Sequence, residues 1–161
     1  MSCRANTKIT LAASLLAALQ PCSAATPQRA TVRFILPDAL KWGSTSLGPD
    51  VRVAPGAGDP QKAGALYFLF SKYSAGARSL PHSNSDDRIV TVLSGTFYLA
   101  VGNPADEVIV QQLGPGSVAF IPANTPHYGW VKEHEAVLQE SGYGPSTTKI
   151  WPQTNTPETQ R

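Results

Sequence analysis

The sequence predicts an all-β domain, an antiparallel sandwich or barrel, and three observations carry that reading. Short runs rich in β-branched and aromatic residues recur from residue 64 onward, each ended by Gly, Pro, Asn or Ser. No window beyond residue 20 places apolar side chains at helical spacing. The 161 residues, once shortened by a removable leader, suffice for one core and not for two.

Taken in chain order, residues 1–25 read as a signal peptide. Arg4 and Lys8 give a positive start, and residues 9–19 (ITLAASLLAAL) are apolar but too short to span a bilayer. Ser23, Ala24 and Ala25 offer the small side chains that a signal peptidase needs. Pro21 directly before Cys22 fits a lipid-attachment motif poorly. Cleavage near Ala24 or Ala25 removes both cysteines, Cys3 and Cys22, and with them any disulfide. It also removes two of the 13 basic residues and none of the 11 acidic ones, so the formal +2 falls to zero. A neutral chain without a basic run gives no electrostatic case for nucleic acid or for an anionic membrane surface. The expected protein is exported, periplasmic or secreted, with no membrane attachment in its mature form.

Residues 26–63 read as an N-terminal strand and a loop region. The run at 30–36 (ATVRFIL) puts Val32, Phe34 and Leu36 on one face until Pro37 stops it. Residues 41–60 hold many Gly, Pro and Ser, which predicts loop with at most a brief strand at 51–53. Residues 64–151 form the expected barrel, opening with 64–73 (GALYFLFSKY), apolar enough for a central strand. Further strands are predicted at 89–93, 97–101, 108–113, 117–121, 127–131 and 136–141. Ser94-Gly95, Val101-Gly102-Asn103-Pro104 and Gly114-Pro115-Gly116 supply turns between them. Residues 152–161 (PQTNTPETQR) are polar and Pro-broken, a predicted flexible tail.

Two spaced segments carry the chemistry. GARSLPHSNSDDRIVTVLSG holds Gly76, His82 and Gly95; GSVAFIPANTPH holds Gly116, Pro122 and His127. On an unbroken strand His82, Asn84, Asp86, Arg88, Val90 and Val92 would share one face. Asn124 and Pro126 shape a tight turn before His127, because Asn tolerates left-handed backbone nearly as well as Gly.

Together these segments resemble the two motifs of the cupin superfamily, which implies a double-stranded β-helix, the small jelly-roll barrel of that family. Gly76, His82, Asn84, Arg88 and Gly95 fall on the first motif at its spacing; Gly116, Pro122, Asn124, His127 and Val131 fall on the second. The run DDRIVTVLSGTFYL, with PANTPHYGWV and VLQESGYGP, is similar to a group of uncharacterised exported single-domain cupins. The resemblance implies a metal held by three histidines and a glutamate. This chain departs from that set: Asn84 replaces a histidine, Arg88 replaces the glutamate, and Ser141 stands where that group tends to carry a further histidine. Of the implied metal ligands only His82 and His127 remain.

Arg88 admits two readings from sequence. It binds a ligand carboxylate, phosphate or enolate inside the barrel, beside His82, Asn84, His127 and Gln139. Alternatively it pairs with Asp86 or Asp87 at the mouth, or turns out to solvent. In either case a guanidinium cannot coordinate an ion and repels a divalent one. His134 lies in a charged turn and reads as a surface residue, while Tyr98, Phe120, Tyr128 and Trp130 are pocket or core candidates. No Ser-His-Asp order, phosphate loop or CxxC motif supports a hydrolase, nucleotide-binding or redox-thiol class.

The expected protein is thus an exported single-domain cupin that binds a small polar or anionic organic molecule at His82, Asn84, Arg88, His127 and Gln139, without a tightly bound metal. A divalent transition metal, if held, sits on His82 and His127. The alternative is a cupin enzyme, a metal-dependent dioxygenase or lyase or a metal-free isomerase. There His127 or His82 is the catalytic base and Arg88 stabilises developing negative charge. The apolar run 64–73 and the N-terminal strand further suggest a homodimer formed by sheet pairing.

Overall fold

The computed structural model describes residues 31–102 and 108–151. The leader, the turn residues Asn103 and Pro104, and the tail at 152–161 lie outside the described residues. Among those described, eleven strands and one 3-10 turn (Pro37–Ala39) form two sheets. Numbered in chain order, β1 (Gly43–Ser44), β2 (Val51–Ala57), β3 (Leu66–Tyr73), β10 (Ala136–Tyr143), β5 (Arg88–Ser94) and β8 (Val118–Ile121) lie side by side in that order. The second sheet runs β11 (Thr148–Ile150), β4 (His82–Asn84), β9 (His127–Trp130), β6 (Phe97–Val101) and β7 (Ile109–Leu113). Each pairing is antiparallel. A late strand, β10, is inserted between β3 and β5, so the six-stranded sheet closes only when nearly all of the domain is in place.

Three sequence expectations change. Residues 31–36 form no strand; Val32, Phe34 and Leu36 stay exposed. Conversely β2 runs to Ala57, pairing with β3 through a register shift between Pro55 and Ala57. Gly56 lies against the Phe68 ring, where any Cβ would collide, so a residue that reads as a loop breaker serves as a packing surface. Finally, the first motif is not one strand. It breaks at 85–87 and passes from one sheet to the other, with β4 in the five-stranded sheet and β5 in the six-stranded one.

The inward faces form the core. Val51, Tyr73, Val90, Val92, Phe97, Leu99, Ile121 and Leu138 pack together, and Tyr73 meets Phe97 edge-on at 5.0 Å between ring centres. Each such side chain contributes about 1.5–3 kcal/mol by leaving water. Gly129 lies directly under the Phe97 ring, which lets β9 approach closely beside His127. One end of the barrel is therefore filled by apolar side chains, and polar groups gather at the other.

Candidate functional site

Strand alternation delivers the polar groups to the interior. On β9, His127 and Gly129 point inward while Tyr128 and Trp130 point outward; on β4, His82 stands opposite His127 in register. The two imidazole rings lie 4.3 Å apart between centres, tilted by 55°. His82 Nδ1 is 2.7 Å from the Leu80 carbonyl oxygen, and His127 Nδ1 is 2.9 Å from that of Thr125. A carbonyl can only accept, so both neutral rings carry their proton on Nδ1 and keep a lone pair on Nε2. Burial, with the neighbouring His127 behind it, pushes the His82 pKa down to about 4; burial likewise lowers that of His127. Both rings are uncharged at neutral pH.

Arg88 points inward: it is only 6% exposed, which settles the choice between barrel and solvent. Its Nη1 donates to Glu140 Oε2 at 2.8 Å and its Nη2 to Ser146 Oγ at 2.9 Å. Its Nε lies 3.4 Å from Asp86 Oδ2, and the guanidinium carbon sits 5.4 Å from the centre of the Tyr67 ring. Burial opposes the guanidinium charge, but attraction to Glu140, then Tyr67 and Asp86, outweighs it and raises the pKa. The cluster is knitted further by Tyr67, whose hydroxyl donates to Asp86 Oδ2 at 2.5 Å, and by Ser71, whose hydroxyl donates to Glu140 Oε1. Burial, followed by that bond to Asp86, lifts the Tyr67 phenol to about 12, so it stays a donor. Gly142 faces the Tyr67–Asp86 contact and leaves no room for a methyl group there.

The structure brings together His82, Asn84, Arg88 and His127, but not Gln139. On β10 the buried Ala136 and Leu138 fix the inward register, so Glu140 enters the site and Gln139 faces the other side of the sheet, paired with Phe70 and Thr91. Glu140 is the residue of the candidate site that sequence reading missed. Period two counted from Leu138 would have found it. Asn84 Nδ2 donates to Thr148 Oγ1 at 3.0 Å, and its backbone carbonyl accepts from Asn124 N–H at 2.7 Å. Asn124 has the left-handed backbone that its sequence context predicts, with φ of 61°. Asp87 turns outward and accepts from Ala123 N–H at 2.8 Å.

The outward aromatics do not line this site. Trp130 stacks on Tyr98 with 5.5 Å between centres, Arg78 covers Tyr128 at 4.5 Å, and Phe120 is exposed. His134 is exposed in its turn, as expected.

Two spaces adjoin the polar groups. A void of about 20 Å³, room for a single water, is lined by His82, His127 and Glu140 above the apolar core. Beyond it a cavity of about 240 Å³ opens among His82, Asn84, Arg88, Glu140, Ser71 and Thr148. The donor set does not fit the transition metal that the motif resemblance implies. Two neutral imidazoles remain, Asn84 offers at most a weak amide oxygen, and a permanent cation occupies the glutamate's position. Among the described residues no group of three His, Cys, Asp or Glu is disposed to hold an ion.

Comparison with known proteins agrees with this architecture. Residues 69–138 match the family model described as Cupin domain. The polyketide cyclase RemF from Streptomyces resistomycificus superposes with a TM-score of 0.65 at 15% identity, covering 79% of this chain and 90% of its own. KdgF from a Halomonas species gives 0.56 at 21% identity, with 71% and 96% covered. An RmlC-like cupin from Shewanella frigidimarina gives 0.55 at 15% identity, with 70% and 91% covered. No curated protein matches the sequence. Identities this low speak for the fold alone. With the matched segment running from β3 to β10 and the strands on either side completing both sheets, this chain carries a cupin domain in a cupin double-sheet barrel.

Proposed function

We propose that this protein is an exported cupin that binds a small polar organic molecule at the barrel mouth, without a tightly bound metal. The observation that carries the reading is the pair of neutral imidazoles, each anchored through Nδ1 with Nε2 left as the acceptor, of which His82 lines a cavity of about 240 Å³ and His127 the small void next to it. That volume lies below the usual drug-sized range, so the ligand is small. Two carboxylates, Asp86 and Glu140, face the single guanidinium of Arg88. The positive charge is thus already compensated, which favours neutral or cationic molecules over the anions that Arg88 suggests in the sequence. Export rests on the basic, apolar and small-residue order of residues 1–25. Among the described residues no helix is long and apolar enough to cross a membrane.

An enzymatic reading draws on structural relatives that include a polyketide cyclase and DMSP lyases. A general base works best with a pKa near the working pH, and His82 at about 4 is a weak one. Binding is therefore the better-supported role. A panel of small amides, polyols, ammonium compounds and carboxylates, titrated while the His82 and His127 ring resonances are followed, tests it. Neutral or ammonium compounds are expected to shift both rings, with the response lost in His82→Gln. Carboxylates binding best, through a response that Arg88→Met abolishes, would reverse the charge preference; silence across the panel would remove the binding role.

The outer face of the six-stranded sheet supports self-association. Phe120, Ile89, Ser141 and Phe68 follow one another in register across four strands, with Val118, Leu93, Leu66 and Tyr143 exposed around them. A row of exposed apolar side chains of this kind marks an interaction surface, and a standard interface takes roughly 800 Å² from each partner. A two-fold homodimer covers such a face with its own copy. Light scattering at micromolar concentration is expected to give twice the chain mass, and Phe120→Asp to halve it. A wild-type protein that stays monomeric rules this out.

A further inference from the structure

The mouth holds the parts of an ion site that its own arginine keeps apart, an idea that rests on the metal-free reading above. We propose that Arg88 excludes metal from this barrel. Its guanidinium stands there as a tethered cation and holds Glu140 off the two imidazoles; with that hold released, His82, His127 and Glu140 form a two-histidine, one-carboxylate site for a divalent transition ion.

The placement of the donors supports this. Both imidazoles are pre-oriented by backbone carbonyls acting on Nδ1, the arrangement that fixes a ligating histidine with Nε2 available. Glu140 lines the same small void as both rings; while it stays paired with Arg88 the three are not disposed to hold an ion. What opposes ligation is engagement: Oε1 accepts from Ser71 and Oε2 is held by the charge of Arg88, so the carboxylate is turned to these partners. An arriving ion would also meet the fixed positive charge of Arg88. Two imidazoles and one carboxylate suit iron, cobalt, nickel or zinc with open positions left over. The carboxylate here comes from β10 rather than from the motif position at 88, so the latent site differs from the one the motif encodes.

Cobalt(II) added to protein purified without chelator tests the proposal, read by bound metal per chain, by visible ligand-field absorption, and by the shift in thermal midpoint. Arg88→Gln is expected to take up roughly one Co²⁺ per chain, at least about tenfold more tightly than wild type. Arg88→Gln/Glu140→Gln is expected to lose that gain. Because Arg88→Gln leaves two buried carboxylates without a cation, Arg88→Gln/Asp86→Asn carries the same test with one of them neutralised. A folded variant that binds cobalt no better than wild type overturns the proposal, as does a gain that survives loss of the Glu140 carboxylate. Stoichiometric, tight uptake by the wild type is a separate result, and it overturns the metal-free reading as well.

Discussion

Arg88→Met is expected to destabilise the protein by about 3–5 kcal/mol, the range for removing one partner of a buried ion pair. Here the loss falls on two partners. Glu140 and Asp86 both face the guanidinium, and their side chains are only 17% and 5% exposed, so water cannot readily replace it. Ser146 Oγ and the face of Tyr67 also lose their cationic neighbour. Glu140→Gln should cost less, because Asp86 still compensates Arg88 and an amide can still accept from Nη1. In Arg88→Met/Glu140→Leu one stranded carboxylate disappears, so the double variant should be more stable than Arg88→Met alone. Urea unfolding of the set, compared at equal slopes, measures each difference. A change below about 1 kcal/mol for Arg88→Met would fit only a solvated side chain, contrary to its burial.

The same cluster shows how far the sequence could be read. The barrel was legible because its signals are local: turn residues at Ser94-Gly95 and Gly114-Pro115-Gly116, and an Asn at 124 whose left-handed backbone the motif spacing anticipates. His82 and His127 were legible because two short motifs place them on facing strands. The break at 85–87 was not, since alternation across an unbroken strand gives the same inward sense to His82 and Arg88 whether or not the chain changes sheets. Glu140 was missed because the resemblance drew attention to Gln139, one residue away, and a shift of one reverses the face. β2 was hidden by Pro55 and Gly56, whose roles, a register shift and room for the Phe68 ring, depend on a partner strand that local sequence does not reveal. Arg88 was the most ambiguous. Inward placement and pairing with Asp86 looked like alternatives, and the structure contains both.

Acid is expected to weaken the fold well before general carboxylate protonation does so. The unfolded chain binds a proton at His82 below about pH 6.5, whereas the folded protein resists it down to about 4. Between those values the unfolded state holds more protons, so stability falls as pH falls through the window and is fully retained above it. The full shift corresponds to on the order of 3 kcal/mol for His82 alone, and His127, lowered for the same reason, adds in the same direction. Burial is the main cause for both rings. The charge of Arg88 works with it, while Glu140 and the carbonyls of Leu80 and Thr125 work against it. The urea midpoint should therefore drop steadily from pH 6.5 to 4, and His82→Gln should flatten that slope. Ring proton shifts should place the His82 titration near 4. A midpoint unchanged between pH 7 and 5, or a His82 titration near 6.5, would mean that water reaches the ring freely. The neutral lone pairs on which the proposed ligand binding depends would then exist only above pH 6.5, instead of persisting in mild acid.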